Sequence, residues 1–318
     1  MDASPERRGW ALAEIPGVAV GASLSELRSR LRPDAVLIST PPTSHHAFAA
    51  EALRGGAHIL IEKPMVLLPA DADLLLQLAA SNNRHIRVGF NRRYRPAYLA
   101  VRERLARTPK HTVRSARFEL CTNPLDWGSY SGHLAQSGSG ELVLEDIAAH
   151  QLDLLPWMLG RSVSAVRASC TRGTTLETLV ELELRFSDGL LASCLAGHQP
   201  GFVERLEISV EGGRWVAGPA GLTTGGPLSA AAARRYLEAR GVARAVARKL
   251  MGRPGDTLET FRRQLEEWAR VLLSPAAEPG RLDIGADGRA GARCVALVDA
   301  CRQSLAGDDA WIDVKHPP

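Results

Sequence analysis

The 318-residue sequence lacks the long apolar runs that mark membrane-spanning and exported proteins. No run of apolar residues approaches the roughly 20 that are needed to cross a bilayer. The first eight residues, from Met1 to Arg8, contain no apolar core of the signal-peptide type. We therefore expect a cytoplasmic protein that does not bind membranes.

Paired cysteines are also missing. The sequence has five cysteines: Cys121, Cys170, Cys194, Cys294 and Cys301. None of them belongs to a C-x-x-C pair or to a spacing typical of metal sites. We expect reduced thiols and no metal site. The formal net charge of +4 is too small to indicate a nucleic-acid partner.

Short apolar segments alternate with helical patterns over the first 110 residues. Four segments are typical of strands, namely 17–20, 35–39, 58–61 and 86–90. Apolar strands separated by helices are typical of a parallel sheet that is covered on both faces. This part of the sequence therefore predicts a Rossmann-like, doubly wound α/β domain over residues 1–110.

The pattern changes after residue 110. Strands are predicted at 113–120, 164–169, 179–186, 189–196, 206–210 and 311–314, and helices at 145–159, 229–249, 257–273 and 287–304, with a loop at 219–227. No helix separates the strands between residues 164 and 210, so their sheet is expected to be antiparallel. Residues 111–318 are thus predicted to form an α+β domain with a large, open, mostly antiparallel sheet.

Two of the predicted parallel strands end in polar or proline-rich motifs. Thr40-Pro41-Pro42 follows one strand and Glu62-Lys63-Pro64 follows the next. Ligands collect at the carboxyl ends of the strands in an open parallel sheet. A partly desolvated Lys63 at that edge is a candidate general acid/base for a substrate hydroxyl. The alternative is a solvated lysine in a turn.

A second candidate cluster lies on the predicted helix at 145–159. Asp146 and His150 are four residues apart, which places them on one helix face, and Asp153 continues the same stripe. A carboxylate beside a histidine can orient it for proton relay from an alcohol. The alternative is an ion pair on the helix surface, which stabilises little.

Together these motifs resemble the Gfo/Idh/MocA family, whose members include glucose–fructose oxidoreductase and inositol dehydrogenase. The matching segments, in order, are 39–45, 52–56, Glu62-Lys63-Pro64, 89–96, the helix with Asp146, His150 and Asp153, 261–265 and 286–288. The resemblance implies hydride transfer between NAD or NADP and a hydroxyl-bearing carbon of a sugar, cyclitol or related compound.

The resemblance also implies which residues form the site. Lys63, Asp146 and His150 would be catalytic. The cofactor side would be lined by Asp2, Ser39, Thr40, Pro41, His45, Glu62, Lys63, Asn91 and Arg92. Asp2, at the position of the ribose-binding carboxylate, favours NAD over NADP. A homo-oligomer, dimer or tetramer, is expected on the same basis.

One element of the family pattern is not found. No G-x-G-x-x-G turn follows a predicted strand, and Met1 to Arg8 resembles the segment that comes after the second strand of the family. We therefore expect about 30 residues, one β-α-β lead-in, to be absent. A mis-assigned start or a fragment, a lead-in supplied by another chain, and a degenerate relative are the explanations that remain open.

Two alternative functions therefore stand beside the oxidoreductase. One is an NAD-dependent, redox-assisted glycosidase, and the other is a non-catalytic partner protein that has lost cofactor binding. The arginine-rich segment 234–253 is interpreted as a solvated helix face, with a ligand-binding surface as its alternative.

Overall fold

Two β-sheets and the helices packed on them make up the fold in this computed structural model. The structure describes residues 1–123, 140–173, 177–219, 221–225, 255–273 and 284–317. The predicted helix at 229–249 and the arginine-rich segment 234–253 lie outside these residues. No described helix is both long enough and apolar enough to span a membrane.

The first sheet is built from three short parallel strands. They are β1 (Ala35–Ile38), β2 (His58–Ile61) and β3 (Ile86–Val88), with α3 (Pro42–Arg54) and α4 (Pro69–Ser81) as the connections. Ile59 and Ile61 in the central strand are fully buried, as expected when helices cover the sheet. The predicted parallel α/β arrangement is confirmed.

The segment before the first sheet contains two helices and one departure from the prediction. The helices are α1 (Pro5–Glu14), capped by the Ser4 hydroxyl, and α2 (Leu24–Arg30). Residues 17–20 were expected to form a strand, but they lie outside both sheets. Within the described chain no neighbouring strand offers backbone hydrogen bonds to these residues. Near them, the Asp2 N–H donates to the Gly21 carbonyl, but no ladder of such bonds follows.

The second sheet has eight strands. They are β4 (Val113–Thr122), β5 (Val163–Arg172), β6 (Thr178–Phe186), β7 (Leu191–His198), β8 (Val203–Val210), β9 (Gly213–Gly218), β10 (Gly221–Gly225) and β12 (Ile312–Asp313), in the order β10-β9-β8-β4-β7-β6-β5-β12. Only the β4–β7 pair in this described sheet is parallel, which confirms a large, mostly antiparallel sheet.

The prediction of a loop over 219–227 is wrong for residues 221–225, which form the strand β10. Gly221, with φ of 108°, reverses the chain, and Thr223 and Thr224 then pair with Val216 and Trp215 of β9. Threonine suits a pleated strand because it is branched at Cβ. The sequence signal was weak because glycines and a proline surround these two residues.

The C-terminal part of the chain returns to the first sheet. The strand β11 (Ala286–Asp287) pairs antiparallel with β3. The helix that follows directly, Gly288–Ala306, begins where the Asp287 carboxylate accepts a hydrogen bond from the Ala290 N–H at 2.7 Å. The domain boundary at residue 110 stays a prediction.

Five further α-helices lie in the described part of the chain. They are α5 (Pro96–Ala106), α6 (Gly140–Val143), α7 (Ala149–Leu159), α8 (Gly255–Leu273) and α9, the helix Gly288–Ala306. A π-helical turn, Leu144–Ala148, joins α6 to α7. A continuous α-helix over 145–159 was predicted, so the π turn is a correction. Such turns widen the helix by one residue and are frequent at functional sites.

A buried ion pair fastens α7 to the end of the first sheet. Arg93 donates from Nε to Asp153 Oδ2 at 2.8 Å and from Nη2 to Oδ1 at 2.5 Å, and the two side chains are 5% and 2% exposed. Asp153 was expected to continue the catalytic stripe of Asp146 and His150. The structure shows it bound to Arg93, as a link between elements.

We predict that Asp153→Ala lowers the free energy of unfolding by about 3–5 kcal/mol, because it leaves the buried Arg93 charge without its carboxylate partner. Urea unfolding measures the change. Glu211→Ala is the matched control, since its pair with Arg114 is about 60% exposed on both sides and is expected to contribute less than about 1 kcal/mol. Equal losses in the two variants would contradict this.

Candidate active site

Lys63 stands directly after β2, at the carboxyl edge of the parallel sheet. Its Nζ donates to a carboxylate oxygen of Asp146 and, at 2.9 Å, to the Asp146 backbone carbonyl. The Lys63 and Asp146 side chains are 15% and 25% exposed. The structure thus joins two of the three predicted catalytic residues in one half-buried ion pair.

The π turn carries the other half of this contact. Asp146 lies inside the turn, and its carbonyl and its carboxylate both face Lys63. Burial by itself raises the pKa of Asp146. The Lys63 ammonium and its hydrogen bond, together with the nearby His198 ring, outweigh burial and hold that pKa below the usual carboxyl range. Asp146 is therefore an anion at neutral pH.

His150, the third predicted catalytic residue, lies one turn further along, in α7. It is 9% exposed, its ring meets the Phe90 ring edge-on at 6.4 Å, and its Nδ1 has no hydrogen-bond partner among the described residues. Burial, with the charges of Arg92 and Lys63, lowers the pKa of His150 well below its ordinary value. The imidazole is therefore neutral near pH 7.

His198 is a member of the cluster that the sequence did not reveal. It ends β7, is 4% exposed, and places Nε2 at 3.9 Å from Asp146 Oδ2. No local motif marks it, since it follows Gly197 in an ordinary strand pattern. Only the position of the second sheet against the π turn brings it to Asp146.

His45 ties together the loops that follow β1 and β2. It is fully buried, with Nδ1 at 2.9 Å from the Pro64 carbonyl and Nε2 at 2.8 Å from the Thr40 carbonyl. The Thr40 hydroxyl accepts from Ser44 at 2.8 Å, at the start of α3, while Ser39 and Pro41 are exposed. These residues fix the edge of the sheet beside Lys63.

Glu62 packs closely against the backbone of Gly89. A Cβ at Gly89 would lie 2.6 Å from Glu62 Oε2 and 3.0 Å from its Cα. Burial raises the pKa of Glu62, and the Lys63 charge opposes that effect. The neighbouring strand end therefore needs glycine at position 89.

The remaining predicted cofactor residues make contacts of another kind. Asn91 and Arg92 are both 8% exposed; Asn91 Nδ2 donates to Thr260 of α8 at 3.1 Å, and Arg92 Nη1 lies 2.6 Å from Glu204 Oε2. Asp2 accepts from the Ser4 N–H at 2.8 Å. Roles for these three residues in cofactor binding stay predictions.

Glu204 anchors a second buried cluster beside the first. Its carboxylate accepts from Arg95 and from the Tyr98 hydroxyl, each at 2.6 Å, in addition to the contact with Arg92. Burial raises the pKa of Glu204, but the two guanidinium groups outweigh it and the net shift is downward. The sequence did not single out Glu204, Arg95 or Tyr98. No group of three metal-ligating side chains occurs within the described part of the chain.

Two family models match this chain. The model described as an oxidoreductase family with an NAD-binding Rossmann fold matches residues 2–90, and the C-terminal domain model of the same family matches residues 98–216. Together they cover more than half of the sequence. The chain belongs to the Gfo/Idh/MocA family of oxidoreductases.

Individual relatives agree with the family. An oxidoreductase of Formosa agariphila and an inositol 2-dehydrogenase of Leifsonia xyli are both 30% identical over 49% and 52% of this chain. These alignments span 50% and 46% of the relatives, so the chain matches about half of their length. The scyllo-inositol dehydrogenase of Lactobacillus casei, solved with NAD(H) and scyllo-inositol, shares the fold with a TM-score of 0.75 at 17% identity, over 98% of this chain and 89% of that one.

We predict that Gly89→Ala lowers the free energy of unfolding by about 1–3 kcal/mol, because the new methyl group collides with Glu62. Gly9→Ala, in α1, meets no atom within 4 Å, and it is expected to stabilise by about 0.5–1 kcal/mol. Chemical denaturation compares the two. A stabilised Gly89→Ala protein would show that the close approach to Glu62 is not needed.

We predict that His150 makes the protein less stable in acid. Above pH 6.5 the ring is neutral in both the folded and the unfolded chain. Below that value the unfolded chain takes up a proton that the buried ring resists, so stability falls by up to about 1.4 kcal/mol per pH unit. Urea unfolding at pH 7.5 and at pH 5.5 should show a smaller acid loss in His150→Asn than in the unmodified protein, and equal losses would contradict it.

Proposed function

We propose that the protein is an NAD-dependent oxidoreductase that transfers a hydride to or from a hydroxyl-bearing carbon of a cyclitol or sugar. The observation that carries the proposal is the cluster of Lys63, Asp146, His150 and His198 at the carboxyl edge of the parallel sheet. Membership of the oxidoreductase family and the inositol dehydrogenases among the relatives support it.

The residues around Lys63 fit the nicotinamide end of a dinucleotide. The neutral, buried His150 leaves Nδ1 without a partner, and the Lys63 ammonium is fixed at the sheet edge where such ligands bind. Thr40, Pro41, Glu62 and Asn91 would hold that end of the cofactor. NAD is favoured over NADP because Asp2 would repel a 2′-phosphate.

The described helix N-termini offer few hydrogen-bond donors to the pyrophosphate of a dinucleotide. The helices that follow β1 and β2 begin at Pro42 and Pro69, and proline has no N–H to offer to a phosphate. We therefore propose that these two helix N-termini do not bind the pyrophosphate.

Bound nicotinamide would supply the hydride acceptor or donor. In the reduction direction the Lys63 ammonium donates a proton to the substrate oxygen. In the oxidation direction Lys63 first releases a proton to solvent, and its free amine then takes the proton from the substrate hydroxyl. Asp146 holds Nζ in place through its carbonyl and its carboxylate. His198 Nε2 lies 3.9 Å from the second carboxylate oxygen of Asp146. His150, kept neutral by burial and nearby positive charge, pairs with a further hydroxyl of the substrate.

The first experiment titrates NAD+ and NADP+ separately into the purified chain by calorimetry, and then measures NADH formation with myo-inositol, scyllo-inositol and simple sugars. Tightly retained NAD without net NADH formation would favour the redox-assisted glycosidase. Absence of dinucleotide binding would favour the non-catalytic partner.

We predict that Lys63→Met lowers kcat/KM by about 10²–10⁴-fold, the usual contribution of a general acid/base, and lowers NAD+ affinity by a much smaller factor. Lys315→Met, which removes an exposed lysine near the C-terminus, is the matched control and should keep full activity. Steady-state kinetics and calorimetry give the two quantities. Full activity in Lys63→Met would refute the assignment of the proton relay.

A further inference from the structure

A cleft of about 360 Å³ lies away from the catalytic cluster, between α7, α9 and the segment leading into β5. Its volume falls in the range of small-molecule sites, roughly 300–1,000 Å³. Lys63, Asp146 and His150 are not among the residues that line it. The cleft is therefore a separate feature that the proposed reaction does not use.

Positive charge dominates the lining of the cleft. Four arginines line it, Arg93, Arg102, Arg161 and Arg293, against the two carboxylates of Asp153 and Asp287. Both carboxylates are engaged, Asp153 by Arg93 and Asp287 as the N-cap of α9. A cleft with this charge balance attracts anions.

Two buried N–H donors in the lining have no acceptor within the described residues. Arg161 is 9% exposed; Nη1 lies 3.1 Å from Asp188, and Nη2 donates to the Lys110 carbonyl, but Nε is unpaired. Trp157 Nε1 is also unpaired. A buried donor without an acceptor costs about 1–3 kcal/mol, so the polar groups of these two residues are not fully satisfied by the described protein groups.

The arginines are also held in place before any ligand arrives. The guanidinium carbons of Arg93 and Arg102 lie 5.1 and 4.2 Å from the centre of the Trp157 ring. Arg161 is fixed by its bonds to Asp188 and Lys110. Preorganised donors lose less conformational entropy when they bind a ligand. Arg293 is exposed, and no hydrogen bond or ring contact with another described residue restrains it.

We propose that this cleft binds a small molecule bearing a phosphate or carboxylate group, at a site distinct from the catalytic one. The arginines hold the oxyanion through charge-assisted hydrogen bonds. The bound anion shares Arg93 with Asp153, which lies three residues after His150 in α7. Occupancy of the cleft is thereby linked to the helix that carries part of the catalytic cluster.

The test titrates inorganic phosphate, citrate and ribose 5-phosphate into the full chain at constant ionic strength, because simple salt screens arginine charges. Tryptophan fluorescence is the readout, since Trp157 lies in the lining. Trp157→Phe keeps an aromatic ring beside Arg93 and Arg102 but removes the reporter. Arg293→Gln removes a charge at the cleft, and Arg172→Gln removes an exposed charge outside it.

We expect saturable binding of at least one of the three anions. Arg293→Gln should weaken that binding about tenfold, while Arg172→Gln leaves it unchanged. The fluorescence change should disappear in Trp157→Phe. Saturation at a lower concentration of phosphate or ribose 5-phosphate than of citrate would indicate a phosphate ligand, and the reverse order would indicate a carboxylate ligand.

No saturation by any of the three anions would overturn the proposal. Equal weakening by the two arginine variants, or an undiminished fluorescence change in Trp157→Phe, would overturn it as well. These results do not depend on the oxidoreductase assignment, because no dinucleotide or polyol is present in the titration. Circular dichroism and thermal unfolding of each variant separate lost binding from lost folding.

Discussion

The ion pair of Lys63 and Asp146 joins parts of the chain that are 83 residues apart. Lys63 follows a strand of the parallel sheet, and Asp146 lies in a π turn that packs against the antiparallel sheet. Neither charge could be half-buried at this position without the other, since an unpaired buried charge costs several kcal/mol. The cluster therefore exists only when both sheets are assembled.

The charges around this pair set the protonation state of the site. Arg92 and Lys63 act with burial to keep His150 neutral, while Glu204 balances Arg92 and Arg95 in the adjoining cluster. The result places an anionic carboxylate, a lysine and a neutral imidazole within one small region. Acid/base chemistry at neutral pH requires neighbouring groups that differ in protonation state.

Regular elements were predictable wherever the pattern was strong. The strand at 58–61 formed as expected because its continuous apolar run is buried by helices on both faces of the sheet. The strand at 179–186 formed because its apolar residues match the sheet period. The strand expected at 17–20 failed because a strand needs a neighbour, which a local pattern cannot supply. A π turn replaced part of the predicted helix at Leu144–Ala148. Its extra residue depends on tertiary packing and on the contact with Lys63, which a local sequence pattern does not encode.

By itself the sequence determined the division into a parallel and a mostly antiparallel sheet, and it nominated Lys63, Asp146 and His150 as candidate site residues. It did so because strand-end motifs and helical spacing are local signals. The tertiary structure alone decided that Asp153 binds Arg93, that His198 faces Asp146 and that arginines gather in the cleft. Each of these contacts joins residues far apart in the chain, so they follow from how the sheets and helices pack.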